Sequence, residues 1–197
     1  MKKAFMSGVF CSVLLLALTA ATALAVENDH SYYLQGPLDT GPEVTAKCLK
    51  CHEKHANDFM KTTHWTWAQE QMVDGKKVVR GKKNAINNFC TSISGNEPRC
   101  TSCHAGYGWT DSSFDFTDSS KVDCLVCHAD TAIYKKFPAG SGMPWLGDEP
   151  KEFPGGSGKM WEKVDLVASA QSVGLPTRAN CGSCHFFGGG GDSVKHG

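Results

Sequence analysis

The chain has 197 residues, 20 basic and 20 acidic side chains that cancel, 41% apolar residues and 10 cysteines. Balanced charge excludes the basic footprint of a nucleic-acid binder, and the length is that of one ordinary domain. So many cysteines in one domain require a chemical use or an oxidising compartment.

Residues 1–25 read as a secretory signal peptide: Met1-Lys2-Lys3 is a basic start, residues 9–18 are an apolar run broken only by Cys11 and Ser12, and Ala23-Leu24-Ala25 is a small-x-small cleavage site. The run is too short to span a bilayer, and Cys11 does not sit at the cleavage point, where a lipid-bearing cysteine would be. The expectation is a mature domain of residues 26–197 without a membrane span, located in the periplasm. Losing Lys2 and Lys3 leaves 18 basic side chains against 20 acidic ones.

Residues 26–47 contain His30, Tyr32, Tyr33, Gly36-Pro37 and Gly41-Pro42, the composition of an extended lead-in. A short helix starting at Glu43 or Thr45 is expected to carry Cys48-Leu-Lys-Cys51-His52. Residues 53–71 have helical composition around Phe59, Met60, Trp65, Trp67 and Ala68, with His55 and His64 among them. Asp74-Gly75 between two β-prone runs predicts a tight hairpin. Lys76, Lys77, Arg80, Lys82 and Lys83 make it basic, either as a solvated edge that resists strand pairing or as a positive field that draws anions.

Next come Cys100-Thr-Ser-Cys103-His104 and Cys124-Leu-Val-Cys127-His128, with Tyr107, Trp109, Phe114 and Phe116 between them. Residues 138–158 are rich in Gly and Pro and read as a long loop. Residues 160–172, with Trp161, Val164, Leu166, Val167 and Ala168, predict a helix that ends before Leu175-Pro176. Cys181-Gly-Ser-Cys184-His185 then runs through Phe186-Phe187 into four glycines and Lys195-His196-Gly197.

Four copies of Cys-x-x-Cys-His carry the chemistry. Each puts two thiols one helical turn apart and an imidazole directly after the second, which is what thioether attachment of a c-type haem and proximal ligation of its iron require. Chance would give roughly 0.02 such matches in a chain of this composition. A zinc ribbon uses Cys-x-x-Cys pairs without needing the following His every time, and a thioredoxin-like motif explains one pair and not four. Four covalent haem c groups are therefore expected, on Cys48, Cys51, Cys100, Cys103, Cys124, Cys127, Cys181 and Cys184. His52, His104, His128 and His185 are their proximal iron ligands. Each haem has about 43 residues of mature chain to cover it, so the expected fold is mainly α with large irregular content, a haem-filled core and a small β-hairpin.

The remaining histidines bear on function, because an iron with two strong axial ligands passes electrons but has no vacancy for a substrate. His30, His55, His64 and His196 are left as distal candidates. His55 follows His52 by three residues, on the same helix face, so it can reach only a neighbouring haem. Met60, Met72, Met143 and Met160 are further thioether candidates. Cys90 is the one mature thiol outside the motifs.

Beyond the motifs, Gly36-Pro-Leu-Asp-Thr-Gly-Pro-Glu-Val-Thr, Lys61-Thr-Thr-His64-Trp65, Lys82-Lys83-Asn-Ala-Ile-Asn-Asn-Phe-Cys90, Arg99-Cys-Thr-Ser-Cys-His-Ala-Gly-Tyr-Gly108-Trp109, Val122-Asp-Cys and Asn180-Cys-Gly-Ser-Cys-His-Phe-Phe are similar to the octahaem tetrathionate reductase family over essentially the whole mature chain. That family comprises periplasmic multihaem cytochromes that reduce tetrathionate, nitrite and hydroxylamine. Most of their haems are bis-His, and one catalytic haem takes a lysine as axial ligand beside a cysteine. The resemblance implies that the haem at His104 is catalytic and that Cys90 is the active-site thiol. It also implies that His30, His64 and His196 are distal ligands and that a lysine between the third and fourth motifs, Lys159 or Lys163, completes the site. Such a lysine must be neutral, so burial and the iron's charge must pull its pKa far below about 10.4. Four motifs against the family's eight haems make the chain the counterpart of the family's first half, whether as a truncated member or as a tetrahaem relative.

The expected function is thus electron transfer coupled to two-electron reduction of a small anionic sulfur or nitrogen substrate. Expected partners are quinol-linked or periplasmic redox proteins, with self-association as a further option. The competing expectations are a non-catalytic tetrahaem carrier or stackable wire subunit, in which His55 ligates an iron, and a fragment without independent function.

Overall fold

The computed structural model describes residues 30–84 and 93–186. The signal-peptide reading of residues 1–25, the thiol Cys90 and the ligand candidate His196 fall outside the described residues.

Helix α1, Gly41–Phe59, starts earlier than Glu43 because Thr40-Gly-Pro-Glu43 is a capping box. The Thr40 hydroxyl accepts from the Glu43 backbone N–H, and the Glu43 carboxylate accepts from the Thr40 N–H at 3.0 Å. Pro42 lies in the first turn, where a missing N–H removes no helical bond. The Gly-Pro pair that reads as a breaker is here a helix start. Val44, Thr45 and Ala56 form the buried face, and the Thr45 hydroxyl donates to the Val122 carbonyl at 2.6 Å. Gly41 packs flat on the Tyr107 ring, which leaves no room for a Cβ. The backbone leaves helical geometry at His52 (φ −115°, ψ 20°) and then resumes it.

The helical segment expected over residues 53–71 breaks in two. After Phe59 comes a single turn, α2, Thr63–Thr66, which ends at Trp67 in the left-handed region (φ 52°). The chain then enters strand β1, Gln69–Val73, paired antiparallel with β2, Lys76–Arg80, in the register Met72 opposite Lys77. Asp74 and Gly75 both have positive φ, 49° and 74°, the turn geometry that matches the twist of a hairpin.

The remaining elements are short: α3, Glu97–Cys100, continued by a 3₁₀ turn Thr101–Cys103; a second 3₁₀ turn, Ser119–Lys121; α4, Leu125–His128; the two-residue strands β3, Lys151–Glu152, and β4, Met160–Trp161; α5, Leu166–Gln171; and α6, Arg178–His185. Met160 and Trp161 pair as a strand where a helix was expected over 160–172. The helix waits for Asp165, whose carboxylate accepts from the Ala168 N–H at 2.9 Å. Most of the described chain is turn and irregular backbone. No helix among the described residues is long and apolar enough to cross a membrane.

Two apolar clusters organise the interior. One gathers Leu34, Val44, Leu125, Tyr134, Leu166 and Ala170, with Cys48, Cys127 and Cys184 against it. The other is aromatic: Trp65, Trp67, Trp109 and Phe114 with Ile93 and Val122, against which Cys100, Cys103 and Cys124 pack. Six of the motif thiols therefore line the core, while Cys51 and Cys181 are exposed.

Candidate cofactor sites

Each Cys-x-x-Cys pair sits on a helical turn, so its two thiols share one face. The first lies within α1 and the second spans α3 and its 3₁₀ extension. The third opens α4, which is held by the Asp123 carboxylate accepting from the Val126 N–H at 3.0 Å. The fourth lies in α6, fixed by a Thr177/Asn180 capping box. Asn180 also donates its side-chain N–H to the Ala129 carbonyl at 2.8 Å, which locks the fourth motif onto the third. None of the eight motif thiols is in a disulfide.

The histidines are brought together across long sequence distances. His30 faces His52 with ring centroids 6.2 Å apart, and His64 faces His185, also at 6.2 Å. A metal–imidazole bond of about 2.0–2.1 Å puts two trans imidazoles on one metal about 6.3 Å apart, centroid to centroid. The ring planes cross at 36° and 80°, and a twist about the ligand axis leaves that angle free. Both pairs fit an iron between them. His55 instead stands edge-on beside His52 at 5.5 Å.

His128 is exposed, and its Nδ1 lies 2.9 Å from the Gly174 carbonyl, which leaves Nε2 for a metal. A second-shell acceptor of this kind fixes the ring and raises its basicity as a ligand. His104 is fully buried, boxed by the rings of Trp65, Trp67, Trp109, Phe114 and Phe116 at centroid distances from 4.9 to 6.0 Å. Its Nε2 meets the Trp65 carbonyl at 2.7 Å, while Nδ1 is buried with no partner among the described residues. The nitrogen left unsatisfied is thus Nδ1, the reverse of His128, and it is enclosed with the ring. Burial pulls its pKa down to about 3, and the positive charges of Lys136 and Lys83 add to the effect, so the ring is neutral, as ligation demands.

The thiols also meet between motifs. Cys124 hydrogen-bonds Cys48, which raises the Cys124 thiol pKa and lowers that of Cys48. Cys184 hydrogen-bonds Cys103 and is raised likewise, with burial adding to the effect. The first motif is thus against the third, and the second against the fourth. Backbone bonds from the Asp123 N–H to the Ala105 carbonyl (3.1 Å) and from the Tyr107 N–H to the Lys121 carbonyl (2.8 Å) tie the second motif to the third.

Sequence reasoning missed the buried ionic network behind these motifs. Lys136 and Asp123 pair at 3.0 Å with side chains 8% and 0% exposed. Asp123 also accepts from the hydroxyls of Tyr107 (2.8 Å) and Tyr134 (2.9 Å), and Lys136 donates to the His104 carbonyl. Burial, with the Asp123 charge second, raises both tyrosine pKa values well above the ordinary one. No local pattern marks Lys136, since Lys135-Lys136 reads as any solvated pair. Of the aromatics between the second and third motifs, Trp109, Phe114 and Phe116 surround the His104 imidazole, while Tyr107 serves Asp123.

A cavity of about 1290 Å³ opens beside Cys100, Cys103 and Cys184, larger than the about 300–1,000 Å³ of a typical small-ligand pocket. Lys159 and Lys163 are both on its wall, as are Arg99 and Lys136. Lys159 is exposed and stacks over Trp161 at 4.6 Å, and Lys163 is exposed and paired with Asp148 at 2.6 Å. Asp148 raises the Lys163 pKa, which favours the charged form that cannot ligate.

Residues 47–129 match the family described as cytochrome c554 and c-prime. The octaheme cytochrome c from Shewanella oneidensis has a similar structure, with a TM-score of 0.70 and 56% identity over 82% of this chain. This chain spans only about a third of that protein's length, 33%. An uncharacterised protein of Archaeoglobus fulgidus is 24% identical over 204 residues, covering 85% of this chain and 67% of the relative.

Proposed function

We propose that this chain is a multihaem c-type cytochrome that carries four haem c groups and couples electron transfer to reduction of a small sulfur or nitrogen oxyanion at the iron held by His104. The supporting observation is the unequal distribution of histidines. His30 and His52, and His64 and His185, stand opposed at the spacing of bis-His ligation, whereas neither His104 nor His128 has an opposing histidine among the described residues, and the choice of His104 between them follows the resemblance to the octahaem reductases. An iron with an open or weakly held sixth position can accept a substrate, and a bis-His iron cannot.

Each haem supplies a one-electron iron couple when bound. The chain's own residues do the rest. Cys48 and Cys51 with His52 and His30 would hold the first group; Cys100, Cys103 and His104 the second; Cys124, Cys127 and His128 the third; and Cys181, Cys184, His185 and His64 the fourth, with His196 as a further candidate ligand. The aromatic box keeps water from the His104 imidazole. Arg99 and Lys159 put positive charge suited to an anion on the wall of the neighbouring cavity, while Lys136 and Lys163 on the same wall are compensated by Asp123 and Asp148. Of the two lysines suggested as axial ligands, Lys159 is the better one, because the Lys163 ammonium is engaged by Asp148 at 2.6 Å. Cys90 is the proposed active-site thiol. Residues 1–25 direct export to the periplasm, where residues 26–197 form the functional domain, reduced by a quinol-linked or periplasmic cytochrome.

Intact mass and ligand-binding spectroscopy on the expressed protein test this reading. The mature chain should exceed its apo mass by four haems, and only one haem should respond to nitrite, cyanide or sulfite. A protein in which no haem responds, and in which His55→Ala abolishes a bis-His signal, would be a carrier and not a reductase.

A further inference from the structure

The β1–β2 hairpin is built as a projection. Gln69, Glu70, Gln71 and Met72 on β1 are exposed, as are Lys76, Lys77, Val79 and Arg80 on β2, so neither face of the two-stranded sheet is covered by described residues. Met72 and Val79 are 64% and 59% exposed. The register puts Glu70 opposite Val79 and Met72 opposite Lys77, so Met72 and Val79 are diagonal neighbours on one face, crossed by the Glu70–Lys77 ion pair at 2.7 Å. A lone hairpin is marginal in water, and two large apolar side chains held in solvent on it call for a partner.

Charge identifies the kind of partner. Residues 69–84 carry Lys76, Lys77, Arg80, Lys82 and Lys83 against Glu70 and Asp74, in a chain that is neutral as a whole. The hairpin is therefore a positive pole, and the rest of the chain carries the compensating negative charge. Its root is fastened to the box around His104. Lys82 lies 4.4 Å above the Trp67 ring and Lys83 3.8 Å above Phe116, and the Lys83 N–H donates to the Trp67 carbonyl at 3.0 Å. Gly81 is pressed on the Trp67 and Ala68 backbone, where a Cβ would stand 2.6 Å from the Ala68 Cα. The hairpin therefore springs from the aromatic box around His104.

We propose that this hairpin docks an acidic electron-transfer protein, with Met72 and Val79 as the apolar contact on one face and Lys76 and Arg80 on the opposite face, together with the root lysines, as the longer-range field that steers it. The assignment rests on the electron-transfer reading above. Weak redox encounters use small interfaces and gain their speed from such fields, which salt screens.

The test is stopped-flow reduction of the holoprotein by a reduced acidic flavodoxin as probe, with a reduced basic c-type cytochrome as control and dithionite to establish that all haems are reducible. The flavodoxin rate should fall as salt is raised from about 10 mM to about 0.5 M. The variant Lys76→Glu/Arg80→Glu should lose about tenfold or more at low salt and converge with wild type at high salt. Lys76→Gln/Arg80→Gln should fall between them, which guards against a misfolded reversal variant. Met72→Ser/Val79→Ser should slow the reaction at every salt concentration. A reversal variant as fast as wild type at low salt, or a basic donor with the same salt dependence as the acidic one, overturns the docking assignment. If dithionite reduces every variant but flavodoxin discriminates none, docking fails and electron transfer stands. Failure of dithionite to reduce the wild type would sink the underlying reading itself.

Discussion

Replacing Lys136 by Met would leave the Asp123 carboxylate, whose side chain is 0% exposed, without the cation 3.0 Å away. Removing one member of a buried pair costs about 3–5 kcal/mol, because the remaining charge can neither reach water nor find a counter-ion. Asp123 keeps three donors, the hydroxyls of Tyr107 and Tyr134 and the Val126 N–H, so the lower end applies, about 3 kcal/mol. For a domain of this size that lowers Tm by about 6–12 °C. Thermal and guanidinium unfolding of the holoprotein, followed by far-ultraviolet circular dichroism, would measure it. Adding Asp123→Asn should recover part of the loss, since removing both charges costs less than stranding one, and the two substitutions should miss additivity by about 1 kcal/mol or more. A Lys136→Met cost below about 1 kcal/mol, or additivity within about 0.5 kcal/mol, would refute a buried, mutually dependent pair.

The opposed imidazoles predict that His30→Ala and His64→Ala each convert one low-spin haem to high spin in electron paramagnetic resonance, whereas His55→Ala converts none; a silent His30→Ala would break the assignment drawn from the 6.2 Å spacing. Gly81→Ala should unseat the hairpin root by about 1–3 kcal/mol, because the Trp67 and Ala68 backbone cannot retreat as a side chain could, and hydrogen exchange at the β1 and β2 amides would register it.

Much of this protein is legible in its sequence because haem attachment is a local requirement: two thiols and an imidazole must occupy one helical turn, and spacing along the chain suffices to find them. The hairpin is legible for a similar reason, since Asp74-Gly75 can adopt the two positive φ angles that a tight turn needs. The helix boundaries are less so. Thr40-Gly-Pro-Glu43 looks like a break until its side chains are seen capping one another, and Trp161 looks helical until it is paired in β4 with Lys151. What only the tertiary structure decides is which groups meet. His64 faces His185, Cys48 touches Cys124, and Lys136 finds Asp123 because α1, α4 and α6 are docked through side-chain bonds such as Thr45 to Val122 and Asn180 to Ala129. Local pattern fixes what each residue can do, whereas packing of distant segments fixes which residue it does it with.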